Sequence, residues 1–375
     1  MVTFSRLSKS RIANWWWTVD KVTLGLLLLI VFIGAFLVFS ASPPVARTNN
    51  FSDYHFIKKQ IVFIFGALVV LLSTSMMHLR NIRRLAIILY VLFLVLMIVT
   101  LFAGYETKGA SRWIRICGLT LQPSEFIKPT FVVVSAWLLE GAKKFDDFPG
   151  ALLSTGLYIL TIAMLLMQPD IGMTIVVTCV WGFQLFLAGL PLILVSVLGV
   201  FGLLAGVGAY FTFDHFHERV HQFLFSGGEL SYQVQKSIEA FESGNLLGKG
   251  PGEGIVKLHL PDAHTDFIFA VAGEEFGVWL CLVIIAAFAA IVVRTLYLSL
   301  KDNNLFIIYA GSGLAASFGL QSIINMSSTL HLIPTKGMTL PFMSYGGSSI
   351  LASALWMGML LALTRRNLTA EDKDI

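Results

Sequence analysis

The chain has 375 residues, 56% of them hydrophobic and only 13% charged. Soluble domains carry about 25% charged residues, so this composition excludes an ordinary soluble enzyme and points to a polytopic membrane protein. A net charge of +4 is too modest for a nucleic-acid partner. Cys117, Cys179 and Cys281 are scattered, without metal spacing or a disulfide framework.

The first residues, "MVTFSRLSKSRIANWWWTVDK", form a basic leader with tryptophans suited to a membrane interface, and they lack a cleavable signal pattern. About 20 apolar residues cross a bilayer as a helix. Ten segments qualify: 22–40, 57–77, 85–104, 125–142, 151–168, 171–189, 191–213, 267–293, 305–331 and 345–364. An even number of spans puts both termini on one side. Arg6, Lys9 and Arg11, then Arg80, Arg83 and Arg84, Lys143 and Lys144, and Arg365 and Arg366 all fall on that side, which makes it cytoplasmic. Lys58, Lys59, Arg112, Arg115 and Lys128 fall on the other side, close to span ends. The expected architecture is an all-α membrane domain over 22–364. It is flanked by a cytoplasmic segment at 1–21 and a cytoplasmic tail at 365–375, with one large external loop at 214–266 between the seventh and eighth spans.

In that loop Val234, Ile238 and Phe241 recur at helical spacing and predict a short amphipathic helix. The stretch "GNLLGKGPGEG" after it is too glycine-rich for regular structure and reads as a turn or clasp. It lacks the Gly-Lys-Ser/Thr ending of a phosphate loop, so nucleotide binding is not expected.

Four polar constellations share the external side. In "KGASRWIRICGLTLQPSEFIK", 108 to 128, Arg112 and Trp113 sit in a short amphipathic connector, while Glu125 and Lys128 share one helix face. In "QPDIG", 168 to 172, Asp170 is placed to cap the next helix. In "LPDAHTDFIFAVAGEEFG", 260 to 277, Asp262 or Thr265 can cap a helix whose first turn holds Asp266. Glu274 then lies about 12 Å deeper at 1.5 Å per residue, and Glu275 points to the opposite side. In "LIPTKGMTLPFMSYGGSS", 332 to 349, an irregular backbone surrounds Lys336. Such a backbone at membrane depth survives only inside protein or beside a water-filled cavity.

Taken singly, these are an interfacial anchor, an ion pair, a turn and a helix cap. Together they gather cations and carboxylates on one side of one membrane protein, where ionisable residues face a bundle interior or cavity. A polar basin open to the outside suits an anionic, lipid-linked substrate: cations hold a diphosphate and a carboxylate takes a hydroxyl proton. Asp266, at the interface, is the candidate base. Glu274 is a weaker candidate, because a sugar would have to descend into the membrane, and it could instead pair with a buried cation or donate a structural hydrogen bond.

"GASRW", "QPSEFIK", "QPDIG", "PDAHTDFIFAVAGEE" and "PTKGMTLPFMSYGGSS", in this order over essentially the whole chain, resemble the SEDS family of bacterial peptidoglycan polymerases. "WWWTVDK", "SASPPVA" and "SIEAFESGNLLGKGPGEG" are similar to its cell-division branch of alphaproteobacterial type rather than its elongation branch. The resemblance implies a ten-helix glycosyltransferase that polymerises lipid II at the septum, in the bacterial cytoplasmic (inner) membrane. Its implied partners are a class B penicillin-binding protein of the FtsI type and other divisome proteins. The family's essential aspartate falls on Asp266, as general base on the acceptor GlcNAc 4-hydroxyl, with inversion at the donor and release of undecaprenyl diphosphate. Arg112, Lys128 and Lys336 match positions that could steady the diphosphates. Gln122, Glu125, Asp170, His264, Thr265 and Ser344 fall in the same motifs and are expected to contact substrate. A divalent cation, magnesium or manganese, could serve as a leaving-group clamp, though the sequence offers no dedicated cage. Ser327 and Thr329 stand where the family usually carries glycine and asparagine, which adds bulk beside the expected cavity. Two rival readings are a lipid II flippase, for which no convincing inverted repeat is found, and a divisome scaffold, which would need no buried charges.

Overall fold

The computed structural model describes residues 10–107, 110–116, 119–191, 232–334 and 337–365, with scattered positions between 193 and 221. The described residues are mostly helical. A short α1 (Arg11–Thr18) leads into α2 (Lys21–Thr48), α3 (His55–Ser75) and α4 (Leu79–Ala103). After three short strands come α5 (Pro123–Lys144), α6 (Gly150–Met167) and α7 (Ile171–Leu187). The later helices are α8 (Tyr232–Gly244), α9 (Ile268–Leu300), α10 (Leu305–Thr329) and α11 (Gly347–Leu363). The expected span at 191–213, the loop residues 214–231 and Lys336 lie largely or wholly outside the described residues.

Among the described residues six helices, α2, α3, α4, α6, α9 and α10, are long and apolar enough to cross a membrane, and α7 and α11 are shorter apolar helices. Three of these spans, α2, α4 and α9, are longer than the apolar windows suggest. The α2 helix runs on to Thr48 through Pro43 and Pro44, and α9 runs to Leu300. Polar side chains fix the starts: Ser10 Oγ accepts from Ala13 N (3.2 Å) and Asp20 Oδ2 from Thr23 N (3.4 Å), satisfying N–H groups that a helix start leaves open.

The all-α expectation needs one correction. Residues 105–121 form a small antiparallel sheet, β1 (Tyr105–Thr107), β2 (Ala110–Ile116) and β3 (Leu119–Leu121), in the order β1-β2-β3. Tyr105 pairs with Trp113 and Ile114 with Leu121. Trp113, Ile114 and Ile116 are aromatic or β-branched, which suits a strand better than the amphipathic connector expected there.

The core sits around α5, α10 and α11, whose side chains are buried nearly all round. The outer helices keep Phe32, Phe65, Ile88 and Leu152 exposed, as lipid-facing positions require. Close helix approach needs small residues. A β-carbon on Gly34 would lie 2.5 Å from Met343 Cα and 2.7 Å from Phe342 O, so only glycine lets α2 meet the segment that precedes α11. One end of the bundle is closed by ion pairs: Glu140 with Arg83 (2.8 Å) and Lys144 (2.6 Å), and Asp20 with Arg294 (2.6 Å). Arg365 donates to Thr18 Oγ1 (2.9 Å) there, joining α1 to the last helix.

Candidate active site

At the other end of the bundle, residues 261–267 form a run of turns before α9. The helix begins at Ile268, and its N-cap, Phe267, makes no side-chain bond. Asp266 is therefore not in the first helical turn, and neither Asp262 nor Thr265 caps the helix. Asp262 adopts φ +56°, and its carbonyl accepts from Thr265 N (3.0 Å) and Phe267 N (3.3 Å). That tight turn precedes the helix and lifts Asp266 out of it.

The segment 337–346 closes over this turn. Tyr345 N donates to His264 O (2.7 Å), and Ser344 Oγ donates to Thr265 O (2.6 Å) while accepting from Leu340 N (2.8 Å). Asn325 of α10 donates through Nδ2 to Asp266 O (3.0 Å) and to Met338 O (2.6 Å), tying both segments to one side chain. A β-carbon on Gly337 would lie 3.5 Å from Asp266 Oδ2, and Gly337 has φ +61°, so the loop passes directly beside the carboxylate. Gly337 and the "HTD" stretch, about 70 residues apart in the chain, are thus packed together.

His264 is buried, with its ring 4.9 Å from Phe56 and 5.1 Å from Tyr345. Burial pushes its pKa from the ordinary 6.5 down to about 4, against the pull of the Asp262 charge. It stands as a neutral, packed imidazole.

Arg112 comes from β2. Its Nε donates to Gln168 O (2.9 Å), its Nη2 to Pro169 O (2.5 Å), and its Nη1 lies 3.6 Å from Asp170 Oδ2. Asp170 also caps α7 through Met173 N (3.3 Å), as its position suggests. Arg112 thus clamps the "QPDIG" turn, and its side chain keeps 23% of its surface exposed.

Lys128 lies inside the bundle. It is 1% exposed, with its ammonium on Glu125 Oε2 (2.8 Å), on Gln321 Oε1 and over the Trp356 ring (5.6 Å). It is a core cation rather than one presented to an external basin. Gln321 passes the contact on, because its Nε2 donates to Thr339 O (3.0 Å). Gln122 lies at the start of α5, where its backbone N–H meets Ser348 Oγ (3.1 Å). Arg112 and Asp170, and Glu125 and Lys128, therefore stand as two ion pairs, while His264, Thr265 and Ser344 shape the turn that carries Asp266.

Glu274 and Glu275 are buried, at 0% and 1% exposure. Glu274 accepts from the backbone N–H groups of Val256 (2.7 Å) and Lys257 (2.9 Å). Glu275 pairs with Lys257 Nζ and accepts from Ser40 Oγ (2.5 Å). Immediately beyond, α9 breaks at Gly277 (φ +69°, ψ −165°), and the "GNLLGKGPGEG" segment docks into the break. Lys249 N and Gly250 N donate to the carbonyls of Glu274 (3.0 Å) and Glu275 (2.9 Å), and Val278 N donates to Asn245 O (3.1 Å). The clasp is a fixed part of the fold. Ser327 and Thr329 also cause no break: α10 is regular to Thr329, whose hydroxyl bonds Met326 O (2.8 Å).

The sequence reading missed Asn325, Gln321, Lys257 and Ser40. The first two carry a signal, since polar residues four apart in an apolar helix share one face. Lys257 and Ser40 carry none, because their partners are remote in the chain. Among the described residues no group of three or more His, Cys, Asp or Glu side chains could hold a metal ion.

These features define a multi-pass membrane protein with a polar site at one end of its bundle, centred on a carboxylate held between two irregular segments. The family model for cell cycle proteins of the FtsW/RodA/SpoVE type matches residues 20–368, and the chain belongs to that family. It is 43% identical over 365 residues to the probable peptidoglycan glycosyltransferase FtsW of Caulobacter vibrioides (strain NA1000 / CB15N), covering 97% of this chain and 93% of that protein. It is 34% identical to the protein of the same name from Trichlorobacter lovleyi, covering 92% and 93%. Among solved structures it resembles a chain of a peptidoglycan synthase complex described for its coordination of polymerization and crosslinking. That match has a TM-score of 0.78 at 27% identity and covers 92% of this chain and 97% of the other. It also resembles the rod shape determining protein RodA of Thermus thermophilus, with a TM-score of 0.68 at 25% identity, over 93% of this chain and 97% of that one.

Proposed function

We propose that this chain is the cell-division peptidoglycan glycosyltransferase of its organism, polymerising lipid II with Asp266 as general base. The observation that carries the base is the placement of the Asp266 carboxylate against Gly337, in a turn that Asn325, Ser344 and Tyr345 lace to the neighbouring loop. A base must be held where the proton it takes will arrive. Asp266 accepts the proton of the acceptor GlcNAc 4-hydroxyl. The hydroxyl oxygen bonds the donor's anomeric carbon from the face opposite the leaving group, the bond from that carbon to the diphosphate oxygen breaks, and undecaprenyl diphosphate leaves with the electron pair.

Arg112 and Lys336 supply positive charge to the diphosphates, while Lys128 holds Glu125 and Gln321 in register behind them. A divalent cation would be held mainly by the substrate's phosphates, which are hard oxygen donors, and would stabilise the leaving diphosphate. Ten spans, with the segment 214–266 outside, put this site on the external face of the inner membrane, at the septum. A class B penicillin-binding protein is the partner, a reading supported by the likeness to a synthase-complex chain.

The test is polymerisation of lipid II by the purified chain with its partner. Asp266→Asn keeps the size of the side chain and cannot take the proton, so activity should fall about 100-fold or more, with membrane insertion and partner binding kept. Full activity of that variant would sink the base assignment.

A further inference from the structure

Asp266 sits at the tip of a loop whose two feet are tied together. One foot is the 3₁₀ turn Val256–Leu258, and the other is the second turn of α9, at Glu274 and Glu275. Both oxygens of Glu274 hold the backbone of the first foot, through Val256 N and Lys257 N. The Lys257 side chain returns the contact. Its ammonium reaches Glu275 Oε1, Ser40 Oγ of α2 (2.7 Å) and Gly252 O (3.0 Å). Nothing in the proton transfer uses these groups. A buried ion pair is weak evidence for stability, because desolvation offsets most of its attraction. What it supplies here is geometry: two carboxylates and one cation fix the separation and angle of the loop's ends.

We infer that Lys257, Glu274 and Glu275 are positioning residues for Asp266, setting the rate of glycosyl transfer by tying the loop's feet to each other and to α2. This rests on the reading of Asp266 as base. A displacement of about 1 Å in a catalytic group can cost up to 100-fold in rate, so a tether nine residues from the carboxylate acts directly on turnover. Ser40 extends the tether to α2, so the loop is referenced to the bundle rather than to its own ends alone.

The experiment compares Lys257→Met, Glu275→Gln and Lys257→Arg in the purified chain with its partner. Two readouts are taken: lipid II polymerisation over a range of substrate concentrations, and amide hydrogen exchange of 258–267 in the chain without substrate. Lys257→Met should lower kcat about tenfold with KM for lipid II changed less than about twofold, the signature of an interaction felt in the transition state. Exchange across 258–267 should speed about tenfold while residues 280–300 keep wild-type protection. Lys257→Arg, which can still reach Glu275, should recover most of both. Glu275→Gln is the milder change and should move both readouts in the same direction if Lys257→Met does not fold. Wild-type exchange in both variants would overturn the tether. Faster exchange with unchanged kcat, or a loss confined to KM, would overturn positioning. Exchange is read without lipid II, so its failure leaves the base assignment standing, whereas an active Asp266→Asn removes the base and leaves exchange to judge the tether.

Discussion

Acid should loosen the turn that carries Asp266, through His264. The imidazole is buried between Phe56 and Tyr345, and its pKa falls from 6.5 to about 4. The folded state therefore prefers the neutral ring, while the unfolded chain binds a proton below pH 6.5. Stability from this group is complete above pH 6.5, declines as pH falls toward 4 and levels off below that. At pH 5 a lowering from 6.5 to about 4 corresponds to about 2 kcal/mol lost, and the full shift to about 3 kcal/mol at 1.36 kcal/mol per pKa unit. The variant His264→Phe fills the same aromatic slot without a titrating group. Thermal unfolding of the detergent-solubilised protein, taken from pH 7.5 to 4.5, should show wild type losing stability faster than His264→Phe by that amount. Carboxylates elsewhere titrate in both proteins and cancel in the difference. Because His264 O accepts the Tyr345 N–H, polymerisation should decline over the same pH range in wild type. Parallel pH profiles for the two proteins, or a wild type stabilised by acid, would refute the reasoning.

Gly277→Ala should cost on the order of 3 kcal/mol, because its φ and ψ are open essentially to glycine alone and an added β-carbon would sit 2.5 Å from Gly248 N. Limited proteolysis should then cut at 245–252, and an uncut, fully stable variant would show that the clasp does not need the break. Lys128→Met leaves the Glu125 carboxylate buried without its cation, at a cost of about 3–5 kcal/mol, and adding Glu125→Gln should return much of it. An unchanged melting temperature in the single variant would mean the buried pair does not hold the core. Gly228→Cys should react with a membrane-impermeant thiol reagent in intact spheroplasts; labelling only after lysis would reverse the proposed orientation.

Most of the helical frame was legible because lipid imposes length and apolarity on every crossing element. Residues 305–331 were expected and Leu305–Thr329 is found, and the amphipathic α8 follows from Val234, Ile238 and Phe241. The sheet at 105–121 was not legible, since short strands among glycines give a weak pattern beside strong apolar runs. Site membership was partly legible. Asp266 and the stretch 332–349 are placed on one side of the membrane by their polarity, and residues 338–345 of that stretch bond to the turn that carries Asp266, directly or through Asn325. The roles of Lys128, Glu274 and Glu275 turned on partners from 17 to 235 positions away: Gln321, Lys257 and Ser40. No local spacing encodes such contacts, so a buried ion pair and an exposed binding cation look alike in sequence.

The way the clasp is fastened also governs which sequence changes the chain can absorb. Its bonds to α9 come from main-chain atoms of Asn245, Lys249 and Gly250, not from side chains. Leu246 and Leu247 remain exposed, at 66% and 80%. Residue identity there is therefore open to drift, except at Gly244, where a β-carbon would lie 1.9 Å from Gly273 O, and where φ values of +80°, +110° and +82° hold Gly248, Gly250 and Gly252 to glycine. Length is not open to drift. Removing one residue between 245 and 250 would put the donors out of step with the carbonyls of Glu274 and Glu275 and pull Lys257 from its pocket. Across descendants of this chain the clasp should change its letters freely and keep its count, and a single-residue deletion there should abolish accumulation of the protein where Leu247→Ser does not.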